Sequence, residues 1–215
     1  MSLLDQVFLV GTYIIAMLAL WSLRNRKSDG GMRYPSDYYH SSAFAVLGIA
    51  GLLLSIFGWG ILGIMGEGTS NKLVAIVSSI IPFSWGTGLI SRFFPRYEKF
   101  FLGLMILGLG LITLSRFMDA PLMARIVYPV FHSTAASVVI ATPIIAAKRG
   151  LMNSHFLSVS VGGALISATG ISLAFLAAGK QLLFLSQELI LTIFGPILFA
   201  VAVLYFWGLV QGEKP

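Results

Sequence analysis

PLMARIVYPVFHSTAASVVIATPIIAA, residues 121–147, holds one charged side chain, Arg125, near its start and one histidine, His132, near its middle. A helix needs about 20 apolar residues to cross a hydrocarbon layer of about 30 Å, and this stretch is long enough. The rest of the chain has the same character. Of 215 residues 57% are hydrophobic and 10% charged, and the mean hydropathy is +0.91. A soluble domain carries about 25% charged residues, so the composition predicts a single all-α integral membrane domain over residues 1–215.

Six further runs fit the same length rule: Leu3 to Leu23, Ala43 to Met65, Lys72 to Ser91, Phe100 to Phe117, His155 to Ala178 and Leu182 to Val210. With Pro121 to Ala147 they predict a seven-transmembrane-helix bundle, multi-pass in the cell membrane. Basic residues set the orientation. Arg24, Arg26, Lys27, Arg33, Arg92, Arg96, Lys99, Lys148, Arg149 and Lys214 fall on one side, and Lys72, Arg116, Arg125 and Lys180 on the other. The positive-inside rule reads this as amino terminus out and carboxyl terminus in. The first span has neither a basic segment before it nor a small-residue cleavage motif after it, so it reads as a retained helix. The formal charge of +6 belongs to those basic loops and implies the bilayer as partner, without nucleic acid. The connection from Arg24 to Ser42 reads as a basic loop at the membrane surface, with an interfacial belt of tyrosines.

An internal repeat is legible at an offset of 112. It aligns Phe44 with Phe156, Gly51 with Gly163, Leu53 with Leu165, Ser55 with Ser167 and Gly58 with Gly170, and sets Gly48 against Ser160. Gly48, Gly51, Ser55 and Gly58, like Ser160, Gly163, Ser167 and Gly170, are spaced three and four apart, which makes a small-residue packing stripe on each helix. Pro82 and Pro196 match with a two-residue gap. The expectation is two parallel three-helix halves, 1–91 and 121–215, joined by a linker helix at 100–117, with a site between the halves near the midplane. This plan resembles that of small three-plus-one-plus-three transporters and channels, the sugar-carrying SWEET family among them. The proline pattern of that family is absent from the corresponding helices.

Ionisable residues at depth are functional candidates in a membrane helix. Arg125, Tyr128 and His132 share a stripe on the fifth span, and Glu188, Thr192 and Gly195 share one on the seventh. Glu188 would lie roughly 9 Å, and His132 roughly 16 Å, below the outer ends of their spans. Facing stripes would put Glu188 beside Arg125 or His132, as a structural ion pair or as a proton-linked transport path. Pro82, Pro129, Pro143 and Pro196 are candidate hinges.

Other chemistry is set aside on residue grounds. The chain has no cysteine, which removes disulfides and thiolate sites. The last span has no lysine for a retinal Schiff base. Haem ligation by two histidines fails because His40 and His155 read as interfacial and His132 as mid-membrane. Zinc would need three ligands or more. No catalytic or phosphate-loop motif occurs. The expectation is a non-enzymatic transporter or channel for a small solute or ion, with its site near spans 5 and 7. The alternative is a membrane subunit of a respiratory or photosynthetic complex, or a seven-helix sensor module. Homo-oligomers or other membrane subunits would pack on the small-residue stripes.

Overall fold

A computed structural model describes residues 1–26, 34–62, 69–118, 121–177 and 186–211. They form seven helices: α1 (Leu3–Asn25), α2 (Pro35–Phe57), α3 (Thr69–Phe93), α4 (Glu98–Phe117), α5 (Pro121–Lys148), α6 (Leu157–Ala177) and α7 (Gln187–Gln211). All seven contain segments long and apolar enough to cross a membrane, and there is no strand among the described residues. Every helix exposes large apolar side chains, among them Trp21, Ile56, Leu73, Phe100, Leu122, Val161 and Trp207. Apolar surface of this extent fits lipid and would be a liability in water. Lys27, Arg33, Lys180 and Lys214 of the charge pattern, and Leu182 at the expected start of the seventh span, lie outside the described residues.

Local sequence explains the helix ends. Ser2 and Asp5 form a capping box at α1, with Asp5 N–H donating to Ser2 Oγ at 3.1 Å and Ser2 N–H to Asp5 Oδ2 at 2.8 Å. That closes two donors the first turn would leave open. Proline fits the first helical turn, where its missing N–H costs nothing, and Pro35 takes that place in α2. The second span therefore starts eight residues before the expected Ala43, and Pro35 to Ser42 is helix instead of loop. It also ends early. Gly58, with φ +71°, closes α2 at Phe57 by bonding its N–H to the Leu54 carbonyl, a conformation glycine adopts without strain. Gly58 thus caps a helix and packs on nothing within 4 Å, so it does not extend the expected stripe. Pro82, Pro129, Pro143 and Pro196 lie inside α3, α5 and α7, which continue as helix through them.

Six helices close a ring in the order α1, α2, α3, α5, α6, α7, each packed on the next and α7 back on α1, while α4 lies outside on the seam of α3 and α5. Exchanging α1–α3 with α5–α7 maps this order onto itself. Gly48 and Gly51 sit against α1, where an added Cβ would stand 3.0 Å from Ala16 Cβ and 2.9 Å from the Leu9 carbonyl oxygen respectively. On α6, Ser160 Oγ donates to the Ile140 carbonyl of α5 at 2.7 Å, and Gly163 meets Val139 at 2.8 Å. Gly48 and Gly51, and likewise Ser160 and Gly163, thus pack on the helix that precedes their own.

The ring is packed through its centre. Trp85 of α3 stacks on Tyr205 of α7 with ring centroids 3.6 Å apart, and Phe44 of α2 meets Trp85 edge-on at 5.7 Å. Leu9, Leu47, Leu89, Phe156, Val201 and Leu209 complete this core. A smaller core of Phe83, Phe101, Met105, Ile112 and Ala135 seats α4.

Candidate functional site

The ends of α1, α3 and α7 meet the starts of α2, α4 and α6 at one end of the bundle, called here the basic end. Arg26, capping α1, donates through Nε to Asp37 Oδ2 at 3.1 Å and through Nη1 to the Leu209 carbonyl of α7 at 3.0 Å. Its other nitrogen bonds Asp37 Oδ1, closing a two-point ion pair. Asp37 is 2% exposed, and a carboxylate that deep is tolerated because the guanidinium matches it at two points. Glu98 at the start of α4 accepts from the Tyr39 hydroxyl at 2.9 Å and from Ser91 Oγ at 2.8 Å, tying α2, α3 and α4. Tyr34 lies between two cations, its ring centroid 5.6 Å from Arg26 Cζ and 5.4 Å from Arg92 Cζ, within cation–π range.

Four residues apart on a helix share a face, so Ser36, His40 and Phe44 form one inward stripe of α2. His40 is fully buried, and neither ring nitrogen has a hydrogen-bond partner among the described residues. Its ring lies against α3 where the backbone has no side chain: a Cβ on Gly88 would stand 2.5 Å from Cε1 and 2.7 Å from Nδ1. One turn back along α3 is Trp85, whose Nε1 also lacks a partner, as does the Tyr205 hydroxyl. That hydroxyl points at α6, 3.2 Å from where a Gly163 Cβ would be. Buried polar atoms are paired in the large majority of cases. Five unpaired ones among the described residues, on Ser36, His40, Trp85 and Tyr205, come from three helices of one ring.

A cavity of about 410 Å³ opens at the basic end above this stripe, lined by Tyr34, Pro35, Ser36, Ser91, Arg92, Phe93, Leu151 and Met152. Ser36 joins the two features, because it lines the cavity and His40 lies one turn, about 6 Å, deeper along α2.

The residues expected to form the path are placed differently. His132 stacks on Tyr128 with centroids 5.2 Å apart, and its Nε2 is 3.5 Å from where a Gly170 Cβ would be on α6. Its Nδ1 has no partner among the described residues. Arg116 of α4 lies over the Tyr128 ring at 6.0 Å. Arg125, Glu188 and Thr192 are exposed. Glu188 is the second residue of α7, where the sequence places it well inside a span. The α5 and α7 stripes are not brought together, because α6 packs between those helices. Gly195 instead meets Asp5 of α1, and Thr192 Oγ turns back onto the Glu188 carbonyl at 2.8 Å. His155, at the basic end, is exposed and accepts from Trp207 Nε1 at 3.4 Å.

The sequence reads His40 as interfacial, where the structure buries it fully, and it does not single out Trp85 or Tyr205. The available signal was the run Ser84-Trp85-Gly86-Thr87-Gly88, where small residues around an indole leave room for a neighbouring helix to approach. Among the described residues no cluster of three or more histidine, cysteine or acidic side chains is placed to hold a metal. No protein-family model, curated protein or solved structure matches the chain.

Proposed function

We propose that the protein is a multi-pass membrane carrier for a small solute, with the amino terminus outside and the basic end in the cytoplasm. The solute site in this reading is the His40–Trp85–Tyr205 core, entered through the cavity at Ser36 and Arg92. The observation that carries it is the set of unpaired polar atoms inside the ring. Leaving a buried donor or acceptor unpaired costs about 1–3 kcal/mol each, and phenylalanine or leucine would fill the same space without that cost. A solute, or the water that precedes it, would satisfy them. The orientation follows from the basic residues of this end, Arg26, Arg92, Arg96, Lys99, Lys148 and Arg149.

The ring order supports two parallel halves, 1–91 and 121–215, with 100–117 as the linker helix, since α4 alone has no counterpart under the exchange. Sites in parallel-repeat carriers lie between the halves, and Trp85 and Tyr205 come from opposite ones. The stacked pair fills the ring, so the conformation described is closed, and transport requires α3 and α7 to part. No enzyme activity, metal or cofactor enters this reading.

A second reading, a non-transporting membrane subunit, is favoured by one feature: among the described residues the ring is packed through its centre by Phe44, Trp85 and Tyr205. Solute flux into proteoliposomes separates the two. Wild-type protein should move at least one small solute, and His40→Gln should abolish that flux while remaining monodisperse. Absence of flux for a broad panel of ions, sugars and acids overturns the carrier.

A further inference from the structure

We infer that the cargo is an uncharged solute bearing both a hydrogen-bond acceptor and a hydrogen-bond donor, of the amide, urea or polyol type. The inference names the substrate class for the His40–Trp85–Tyr205 core, and it rests on the carrier reading.

The unpaired atoms of the core set complementary demands. Trp85 Nε1 is buried without a partner among the described residues, and an indole N–H can only donate. Both ring nitrogens of His40 are buried and unpaired as well. The described carboxylates of this end face other partners. Asp37 is held by Arg26 through both oxygens, and Glu98 accepts from Tyr39 and Ser91. A buried charge without a partner is not tolerated, so the imidazole is neutral and offers one donor and one acceptor. The Tyr205 hydroxyl, also unpaired, serves as either. A cargo that completes this set presents acceptors to the indole and to one imidazole nitrogen, and a donor to the other.

Charged solutes fail on two counts. A carboxylate only accepts and leaves the imidazole acceptor open, whereas an ammonium or guanidinium only donates and leaves the Trp85 N–H open. Each would also shed its water among Phe44, Leu47, Leu89 and Val201 with no counter-charge among the described core residues, a cost of several kcal/mol. Arg92 stands about 6 Å nearer the basic end along α3 than Gly88, where its guanidinium lies over the Tyr34 and Phe93 rings. The stacked faces of Trp85 and Tyr205 supply flat apolar walls for a neutral molecule once α3 and α7 part.

Pairs of equal shape and different charge test this: urea against guanidinium and acetamide against acetate, with glycerol as the polyol. Uptake of labelled solute into proteoliposomes is measured above protein-free vesicles. At least one neutral probe should enter about tenfold or more faster than either ion. Tyr205→Phe, which keeps the ring stack, and Trp85→Phe, which removes the indole donor, should each slow that entry about threefold or more, the worth of one hydrogen bond. Entry of guanidinium or acetate as fast as its neutral counterpart overturns the class and keeps the carrier. Neutral entry unchanged in both variants overturns the core as the selecting site. If all five probes fail, a wider solute panel decides. A charged or wholly apolar solute that moves overturns the class, an uncharged one with donor and acceptor upholds it, and no movement at all overturns the carrier reading itself.

Discussion

Trp85 lies flat on Tyr205, with ring centroids 3.6 Å apart and planes 12° from parallel, and both are about 1% exposed at the centre of the six-helix ring. One comes from the third helix and the other from the seventh, so this contact closes the space a solute would need.

Tyr205 carries a buried hydroxyl with no partner among the described residues. Removing an unpaired buried polar atom relieves a cost of about 1–3 kcal/mol. Tyr205→Phe should therefore raise the melting temperature, while Tyr205→Ala should cost about 3–5 kcal/mol through the cavity it leaves. Thermal unfolding in detergent measures both. A destabilised Tyr205→Phe would mean that the hydroxyl is already satisfied.

His40 and Gly88 should be energetically coupled. Gly88→Ala drives a methyl into the imidazole, since the built Cβ lies 2.5–2.9 Å from three ring atoms, and overpacking of this kind costs about 1–3 kcal/mol. His40→Ala in the same chain removes the obstacle, so the double variant should be more stable than the sum of the single losses. A double-mutant cycle reads this directly, and additive losses would separate the two residues.

The Arg26–Asp37 pair ties α1 to α2 and, through Leu209, to α7. Asp37→Asn leaves a largely buried guanidinium without its counter-charge, a change that costs about 3–5 kcal/mol. Arg26→Met with Asp37→Leu should recover much of that loss, because no charge then remains buried. Denaturation of the three variants beside wild type gives the comparison.

The glycines of the two small-residue stripes should not behave alike. Gly51→Ala meets the Leu9 carbonyl at 2.9 Å and Gly163→Ala meets Val139 at 2.8 Å, whereas Gly170→Ala finds only His132, at 3.5 Å. The first two should each lose about 1–3 kcal/mol and Gly170→Ala should be close to neutral. Equal losses at all three would contradict the packing described.

What the sequence makes legible is what lipid demands: apolar runs of spanning length, the charges that end them, and small residues where helices approach. His40 was hidden for a local reason. Pro35 reads as a turn in a polar stretch, but as the first residue of α2 it extends the helix inward and carries Ser36 and His40 into the ring. Trp85 and Tyr205 were hidden for a nonlocal one, because 120 positions separate them and ring order alone makes them neighbours. Glu188 shows the opposite difficulty. The apolar run begins at Leu182, which places Glu188 at depth, whereas α7 begins at Gln187, so the acid stands at a helix start and is exposed.

The claim that the core is entered from the basic end is most directly tested by thiol labelling, for which a chain without cysteine is already suited. Ser36→Cys, in oriented membrane vesicles, should react with a membrane-impermeant maleimide applied to the cytoplasmic face and stay unreacted when the reagent is outside. Labelling from the outer face alone, or no labelling of intact protein that labels fully once denatured, would contradict an entrance at this end.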